Sequence, residues 1–287
     1  MCRVLASVIV AGLFVGCSRA SNDSPASSKA SNVTLASPKA SNASLGVAEQ
    51  NGNWGDVKGA IVWGGDKLPE RLPLDLKGHQ DSKHCAQKGK LLGEEWIVHP
   101  KNKGLRYTFV WLAAKDKEAM IPIHPSLKES KEKKVVMDQP ICMFVPHAVA
   151  LREGQSLVAK NSASVAHNFK YGGGTENPGA NFLMPANTER AIDDLKADRL
   201  PVSVECGIHP WMRGWVRVFN HPYYAVTDEN GAFELKNAPA GDWQLMVWHG
   251  SGGWRNGAKG KNGETITIKA GATTNLGNLA YPPPPAN

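Results

Sequence analysis

Apolar positions along this chain recur in short runs rather than in helical stripes. PVSVE (201–205), WVRVF (215–219), AFEL (232–235) and WQLMVW (243–248) each read as a strand, the last two with period-2 alternation. GDVKGAIVWGG (55–65) alternates and then turns, the pattern of an edge strand. Turn-forming residues separate these runs: YGGGTENPG (171–179), DENG (228–231) and APAG (238–241). With 29 glycines and 19 prolines and few helix-period stripes, the expected fold class is all-β. The 287 residues leave room for one large or two modest domains, each with its own core.

One apolar run is of another kind. Val4 to Val15, behind a lone Arg3, is too short to span a bilayer as a helix and reads as a signal peptide over residues 1–16. The small residues before Cys17 resemble a bacterial lipobox, which implies lipidation of Cys17 and a membrane-anchored place in the cell envelope or periplasm, secretion being the alternative. Residues 17–50 contain a ten-residue repeat (RASNDSPASS, KASNVTLASP, KASNASLGVA) without aromatics. It cannot bury enough surface to fold, so it is expected to be a disordered linker.

The net charge of +7, or +6 once Arg3 leaves with the signal, raises nucleic acid as a ligand. The lysines are scattered and not interleaved with aromatics, and an exported chain rarely meets nucleic acid, so that class is set aside. KESKEKK (128–134) reads as a solvated loop.

Five cysteines divide unequally in an oxidising compartment. Cys2 leaves with the signal and Cys17 takes the lipid. Of the remaining three, Cys206 sits among potential metal ligands, which leaves Cys85 and Cys142 as a candidate disulfide. Such a bridge would close a 57-residue loop, for which loop-closure entropy gives about 4 kcal/mol; the alternative is two buried thiols.

Cys206, His209 and Met212 follow C-x2-H-x2-M spacing in a loop between two strands. A thiolate, an imidazole and a thioether suit copper, and His167, in NSASVAHNF 39 residues upstream, can supply the second imidazole. His₂Cys with a weak axial Met is the type 1, blue-copper set. CGIHPWMRGWV resembles the ligand loop of amicyanin-type cupredoxins, and His167–Asn168 resembles their first-ligand motif. The resemblance covers roughly residues 135–220. It implies a Greek-key sandwich with His167, Cys206 and His209 as equatorial copper ligands, Met212 as the axial one, and Asn168 bracing the two ligand loops. It also implies that the His209 imidazole emerges at the end of the sandwich within an apolar patch containing Trp211, where a redox partner from the cell envelope docks.

Other copper chemistries are excluded by residue type. A dinuclear centre would need a cysteine where Val202 stands, and a multicopper oxidase would flank Cys206 with histidines where Glu205 and Gly207 stand. A single copper without an open position carries electrons and is not expected to be an enzyme. His99, His124, His147 and His221 adjoin prolines and read as strand ends or turns; His84, beside Cys85, is a weaker metal candidate, and the lack of C-x-x-C-H removes c-type haem.

TDENGAF (227–233) followed by APAG resembles the carboxypeptidase-regulatory-like, or transthyretin-like, β-sandwich module. The strand that opens such modules, G-x-V-x-G, has its counterpart at 55–59, far upstream, which favours insertion of the copper domain within this sandwich. The resemblance makes Asp228 and Asn230 turn-formers rather than calcium ligands. The chain as a whole is also similar to methylamine-utilisation-like envelope proteins. The expected organisation is a β-rich segment over 51–128, a cupredoxin domain over 129–220, the second sandwich over 221–280 and a loose Pro-rich tail over 281–287. The leading function is a lipid-anchored electron carrier. The alternatives are a copper-free structural or carbohydrate-binding sandwich and a copper storage or delivery protein; the sequence leaves the oligomeric state open.

Overall fold

The computed structural model describes residues 53–116 and 119–284. The signal peptide, Cys17, the 17–50 linker and residues 285–287 lie outside the described residues. None of the described helices is long and apolar enough to cross a membrane.

The described chain is all-β apart from short helical turns. β1 (Trp54–Trp63) and β2 (Phe109–Ala113) come first. Then follow β3 (Lys134–Asp138), β4 (Ala148–Arg152), β5 (Ser156–Asn161), β6 (His167–Tyr171), β7 (Ala180–Met184), β8 (Thr188–Ile192), β9 (Val202–Glu205) and β10 (Arg213–Phe219). The last are β11 (Tyr224–Val226), β12 (Ala232–Pro239), β13 (Gly241–His249), β14 (Gly253–Trp254), β15 (Glu264–Ile268) and β16 (Thr273–Tyr281).

β3 to β10 build one sandwich. Its sheets are β3-β5-β8 and β4-β10-β9-β6-β7, with β3/β5 and β4/β10 parallel and the other pairs antiparallel. Met137, Leu151, Leu157, Phe169, Val204 and Val216 fill the space between them. The other strands form a second pair of sheets, β12-β1-β16 and β11-β2-β13-β14 with β15 on β13, around Val57, Ile61, Leu112, Phe233, Leu245 and Ile266. β12 shows how the pattern directs this: Phe233 and Leu235 point inward, while Glu234 and Lys236 face water.

β1 and β2 thus pair with strands that follow the first sandwich, so that sandwich lies in sequence between β2 and β11 of the second. β1 is not an edge strand, as its pattern suggests. It is the centre of its sheet, antiparallel to β12 and parallel to β16, and the parallel partner lies more than two hundred residues away. Tyr281, placed by sequence in a loose tail, ends β16 with its ring in the core and its hydroxyl donating to the Gly253 carbonyl at 2.8 Å. Asp228 is a turn-former: its Oδ1 accepts from the N–H groups of Asn230 and Ala232, both at 2.8 Å, while Gly231 takes φ of +73°.

The two sandwiches share an aromatic layer, with Ala148 and Phe219 from the first meeting Phe109, Trp111, Met246 and Trp248 from the second. β10 is therefore covered on both faces. Val216 and Val218 point into the first core, and Trp215 and Phe219 toward the second sandwich. A strand buried on both sides reads as a continuous run, which is why WVRVF lacks alternation. Its one charged residue, Arg217, stacks 3.7 Å from the Trp111 ring centroid and 4.3 Å from that of Phe219.

Two histidines in this body are buried as neutral rings. His249 stacks on Trp96 with 4.6 Å between centroids. Burial pushes His221 and His249 down to about 3, reinforced at His221 by Arg217 and Arg152 and at His249 by the neighbouring His147, with a backbone hydrogen bond to Arg106 opposing. An unfolded histidine titrates near 6.5. Between these values the unfolded chain takes up protons that the folded chain refuses. Stability is therefore full above about pH 6.5 and falls as the pH drops toward 3, by at most about 1.4 kcal/mol per pH unit for each histidine. Denaturant unfolding between about pH 7 and pH 4 should show this decline. His249→Phe, which keeps the stack and removes one titrating ring, should make the slope shallower by about one proton.

Candidate metal centre

β9 and β10 are antiparallel neighbours, with Arg213 opposite Glu205, so residues 206–212 form the loop that joins them. The loop is closed on itself: the Cys206 N–H donates to the Met212 carbonyl at 3.3 Å, and the Met212 N–H to the His209 carbonyl at 2.9 Å. The Cys206 Sγ and His209 Nδ1 lie 3.7 Å apart within this closed loop. His167 opens β6, the strand beside β9, which brings it to the same end of the sheet. His167, Cys206, His209 and Met212 are all buried.

Three donor atoms converge. His167 Nδ1 and His209 Nδ1 lie 2.9 Å apart, and the Cys206 Sγ is 3.9 Å from the first and 3.7 Å from the second. A triangle with these sides has a centre about 2.1 Å from all three atoms, within the range of about 2.0–2.3 Å for bonds from imidazole nitrogen and thiolate sulfur to a metal of zinc size. A soft thiolate with two imidazoles is a donor set for copper or zinc, so the residues present fit a metal of that kind. Met212, 1% exposed, packs in the same core as Cys206.

The surroundings prepare these atoms for a metal. Burial, with His209 as the next cause, lowers His167 to about 4, and burial and His79 lower His209, with Asp81 opposing. Both rings are neutral at pH 7, the form that coordinates. The Sγ accepts two backbone hydrogen bonds, from Asn168 N–H at 3.2 Å and His209 N–H at 3.4 Å. Such bonds around a ligating sulfur tune its donor strength. Asn168 links the loops by this bond, and its carbonyl accepts from Gln139 Nε2 at 2.8 Å. A side chain at Gly207 would come within 3.4 Å of the Asn168 Oδ1, so both loops are closely fitted.

The sequence reading places His209 at an exposed end of the sandwich; the structure buries it completely. A cap covers the ring. Residues 72–93 leave and return as a closed loop, with Leu74 N–H donating to the Leu91 carbonyl and Gly93 N–H to that of Leu72, both at 2.9 Å, and α1 (Ser82–Cys85) at the far end. His79 meets the Ile208 carbonyl at 3.0 Å and stands 4.7 Å from His209 between ring centroids. Asp81 Oδ2 is 3.2 Å from His209 Nε2. Trp211 is half-buried beneath this edge, its indole N–H donating to the Cys142 carbonyl at 3.2 Å, so an open apolar ring around an emerging imidazole does not exist.

Cys85 and Cys142 form a disulfide that ties α1 to the sandwich, and both sulfurs lie within 4.8 Å of a His209 ring nitrogen. Cys206 is the free thiol among the described residues. His84 is engaged with Ser164 Oγ at 3.1 Å rather than with the donor triangle. His79, Asp81 and His209 also form a compact ligand-type group. His79 has no nitrogen to spare there, because its Nδ1 accepts from the Asp81 N–H at 3.2 Å while its Nε2 faces Ile208. Sequence reasoning missed His79 and Asp81. The stretch GHQDSKHC is dense in ligand-type residues, yet nothing in it points to a loop over one hundred residues downstream.

No protein-family model and no curated protein matches the chain. Among solved structures the chain is similar to a purple cupredoxin from Nitrosopumilus maritimus, at 17% identity and TM-score 0.25 over 29% of this chain and 98% of that one. It is similar to amicyanin from Paracoccus versutus at 18% identity and TM-score 0.26, over 38% and 97% of the two chains. A copper-containing nitrite reductase from Thermus scotoductus gives 16% and 0.28, over 34% and 25%. What the centre can do follows from its own side chains.

The staple makes the cap testable. Cys85→Ser with Cys142→Ser should cost on the order of 4 kcal/mol of unfolding free energy. It should also open His209 to acylation by diethyl pyrocarbonate, mapped by peptide mass, whereas in the parent protein that ring stays unmodified. Equal protection in both proteins would show that the cap is held without the disulfide.

Proposed function

We propose that this protein is an exported mononuclear type 1 copper protein, anchored to the cell envelope through Cys17, that carries single electrons between redox partners there. The carrying observation is the triangle of His167 Nδ1, His209 Nδ1 and Cys206 Sγ, whose centre is at bonding distance from all three. In this reading His167, Cys206 and His209 would hold the copper, with the Met212 thioether as a fourth, weaker donor. Copper so held supplies exchange between Cu(II) and Cu(I) with little change of geometry.

The chain's own part is to keep the donors in place. The 206–212 loop is braced by its internal hydrogen bonds and by β9 and β10, two backbone N–H groups hold the sulfur, and the cap excludes water. Burial of all four ligands favours retention of the ion over storage and delivery. The copper-free structural or carbohydrate-binding reading leaves unexplained why two imidazoles and a thiol are buried against one another. Trp211, half-buried with its ring centroid 5.3 Å from that of His209, is the docking residue in this reading, reached at the edge of the cap.

Adding Cu(II) to the purified protein should produce an intense thiolate-to-copper charge-transfer band, and Cys206→Ala should abolish it without loss of the β-rich circular dichroism. A colourless parent protein, or a band that survives in the variant, overturns the proposal. Met212→Leu should still bind copper and should raise the reduction potential, because a lost donor weakens Cu(II) more than Cu(I); voltammetry of the two proteins checks it, and an unchanged potential would place Met212 outside the coordination sphere.

A further inference from the structure

The cap does more than cover His209: it places one charge against one nitrogen. Asp81 stands just before α1, its carbonyl accepts from the Cys85 N–H at 2.9 Å, and its N–H donates to His79 Nδ1 at 3.2 Å. Cys85 is in turn bonded to Cys142. The carboxylate is therefore fixed by backbone and staple, with its side chain 19% exposed and Oδ2 3.2 Å from His209 Nε2, whose ring is fully buried. It lies off the N–H direction, so that it acts on Nε2 mainly through its charge.

A neutral imidazole carries one proton, on either nitrogen. A carboxylate beside Nε2 favours the proton there, which leaves the His209 Nδ1 as a lone pair. That atom faces His167 Nδ1 at 2.9 Å. Two lone pairs at that distance repel, so His167 supplies the N–H. Its Nε2 then bears the lone pair, and this nitrogen is buried without a hydrogen-bond partner. Asp81, His209 and His167 thus form an ordered proton arrangement in which the His209 Nδ1 lone pair is already turned toward His167, at one corner of the donor triangle, before any metal arrives.

We propose that Asp81 is a positioning residue that selects the Nε2–H tautomer of His209 and, through that ring, favours Cu(II) over Cu(I) at the centre. The second half rests on the copper reading above; the first half does not. A ring hydrogen-bonded or charge-paired behind its ligating atom is a stronger donor, and loss of such a partner weakens metal binding by roughly 10–100-fold.

The test has two readouts on the full-length protein. In the metal-free, ¹⁵N-labelled parent, long-range imidazole correlations should show His209 with its proton on Nε2 and His167 with its proton on Nδ1. Asp81→Asn keeps size and an acceptor but removes the charge, and Asp81→Ala removes both. His209 should lose its Nε2–H preference partly in the first and more fully in the second, and Asp81→Glu should restore it. In the copper-loaded proteins the reduction potential should rise in the order parent, Asn, Ala. A tenfold loss falling on Cu(II) alone corresponds to about 59 mV.

His209 protonated on Nδ1 in the metal-free parent, or a tautomer unmoved in both the Asn and Ala variants, overturns the assignment to Asp81. If copper binds with its charge-transfer band yet the potential is the same in all three proteins, the electronic half is overturned and the copper reading stands. If the tautomer follows Asp81 while the parent takes up no copper, the copper reading falls and the positioning role is upheld.

Discussion

Two imidazoles and a thiol buried within 4 Å of one another form an arrangement that a fold does not reach by default. Each polar atom removed from water loses hydration, and the interior offers few partners in return. His167 Nε2 and His209 Nε2 have no in-line hydrogen bond at all. The rest of the first sandwich can be understood as what keeps this triangle from relaxing. β9 and β10 fix both ends of the ligand loop, β6 brings in His167, and backbone N–H groups hold the sulfur from two directions. The two Nδ1 atoms face each other and the sulfur is held by backbone, so the cost falls on the outer Nε2 nitrogens, which point away from the centre of the triangle.

The cap belongs to the same problem. An imidazole at the open end of a sandwich would have water at its outer nitrogen, and that nitrogen would be satisfied at no structural expense. Here the outer nitrogen is sealed by residues 72–93, and the fold supplies Asp81 in place of water. The disulfide sits where it secures this replacement: it ties α1, which Asp81 immediately precedes, to Cys142, whose carbonyl also receives the Trp211 indole. Staple, carboxylate and ligand loop are one connected unit. Electron exchange through the outer edge of His209 would have to cross a protein layer, which separates this centre from one that meets its partner through an exposed ring.

How much of this could be read from the sequence depended on whether the relevant contacts are local. The ligand loop and its flanking strands were legible, because C-x2-H-x2-M and the runs on either side occupy nineteen consecutive residues, 201–219. The Asp228 turn was legible for the same reason. β1 was misread as an edge, since period-2 alternation reports which face is buried but not whether a strand has one neighbour or two. Tyr281 was misread because four prolines after it suggest a tail, while its burial depends on Gly253 and on β1, both distant in sequence. His79 and Asp81 were invisible as site residues. Their role exists only because a loop closed at its base by Leu74 and Leu91 folds over a hairpin more than one hundred residues away.

The second sandwich bears on the centre through β10. One end of that strand follows directly from Met212, and its outer face lies under Trp111, Trp248 and the rest of the shared aromatic layer. Arg217 is buried in this layer against two rings, with Nε and Nη1 lacking hydrogen-bond partners, in a place where an apolar side chain would be cheaper to bury. What a long cation gives in return is a flat surface that rests on Trp111 of β2 as well as on Phe219 of its own strand, so β10 cannot slide past β2 without breaking the Trp111 stack. A ligand loop is only as rigid as the strands that end it. Placing the first sandwich between β2 and β11 of the second therefore does more than join two modules: it clamps the strand on which Met212, His209 and Cys206 depend for their positions.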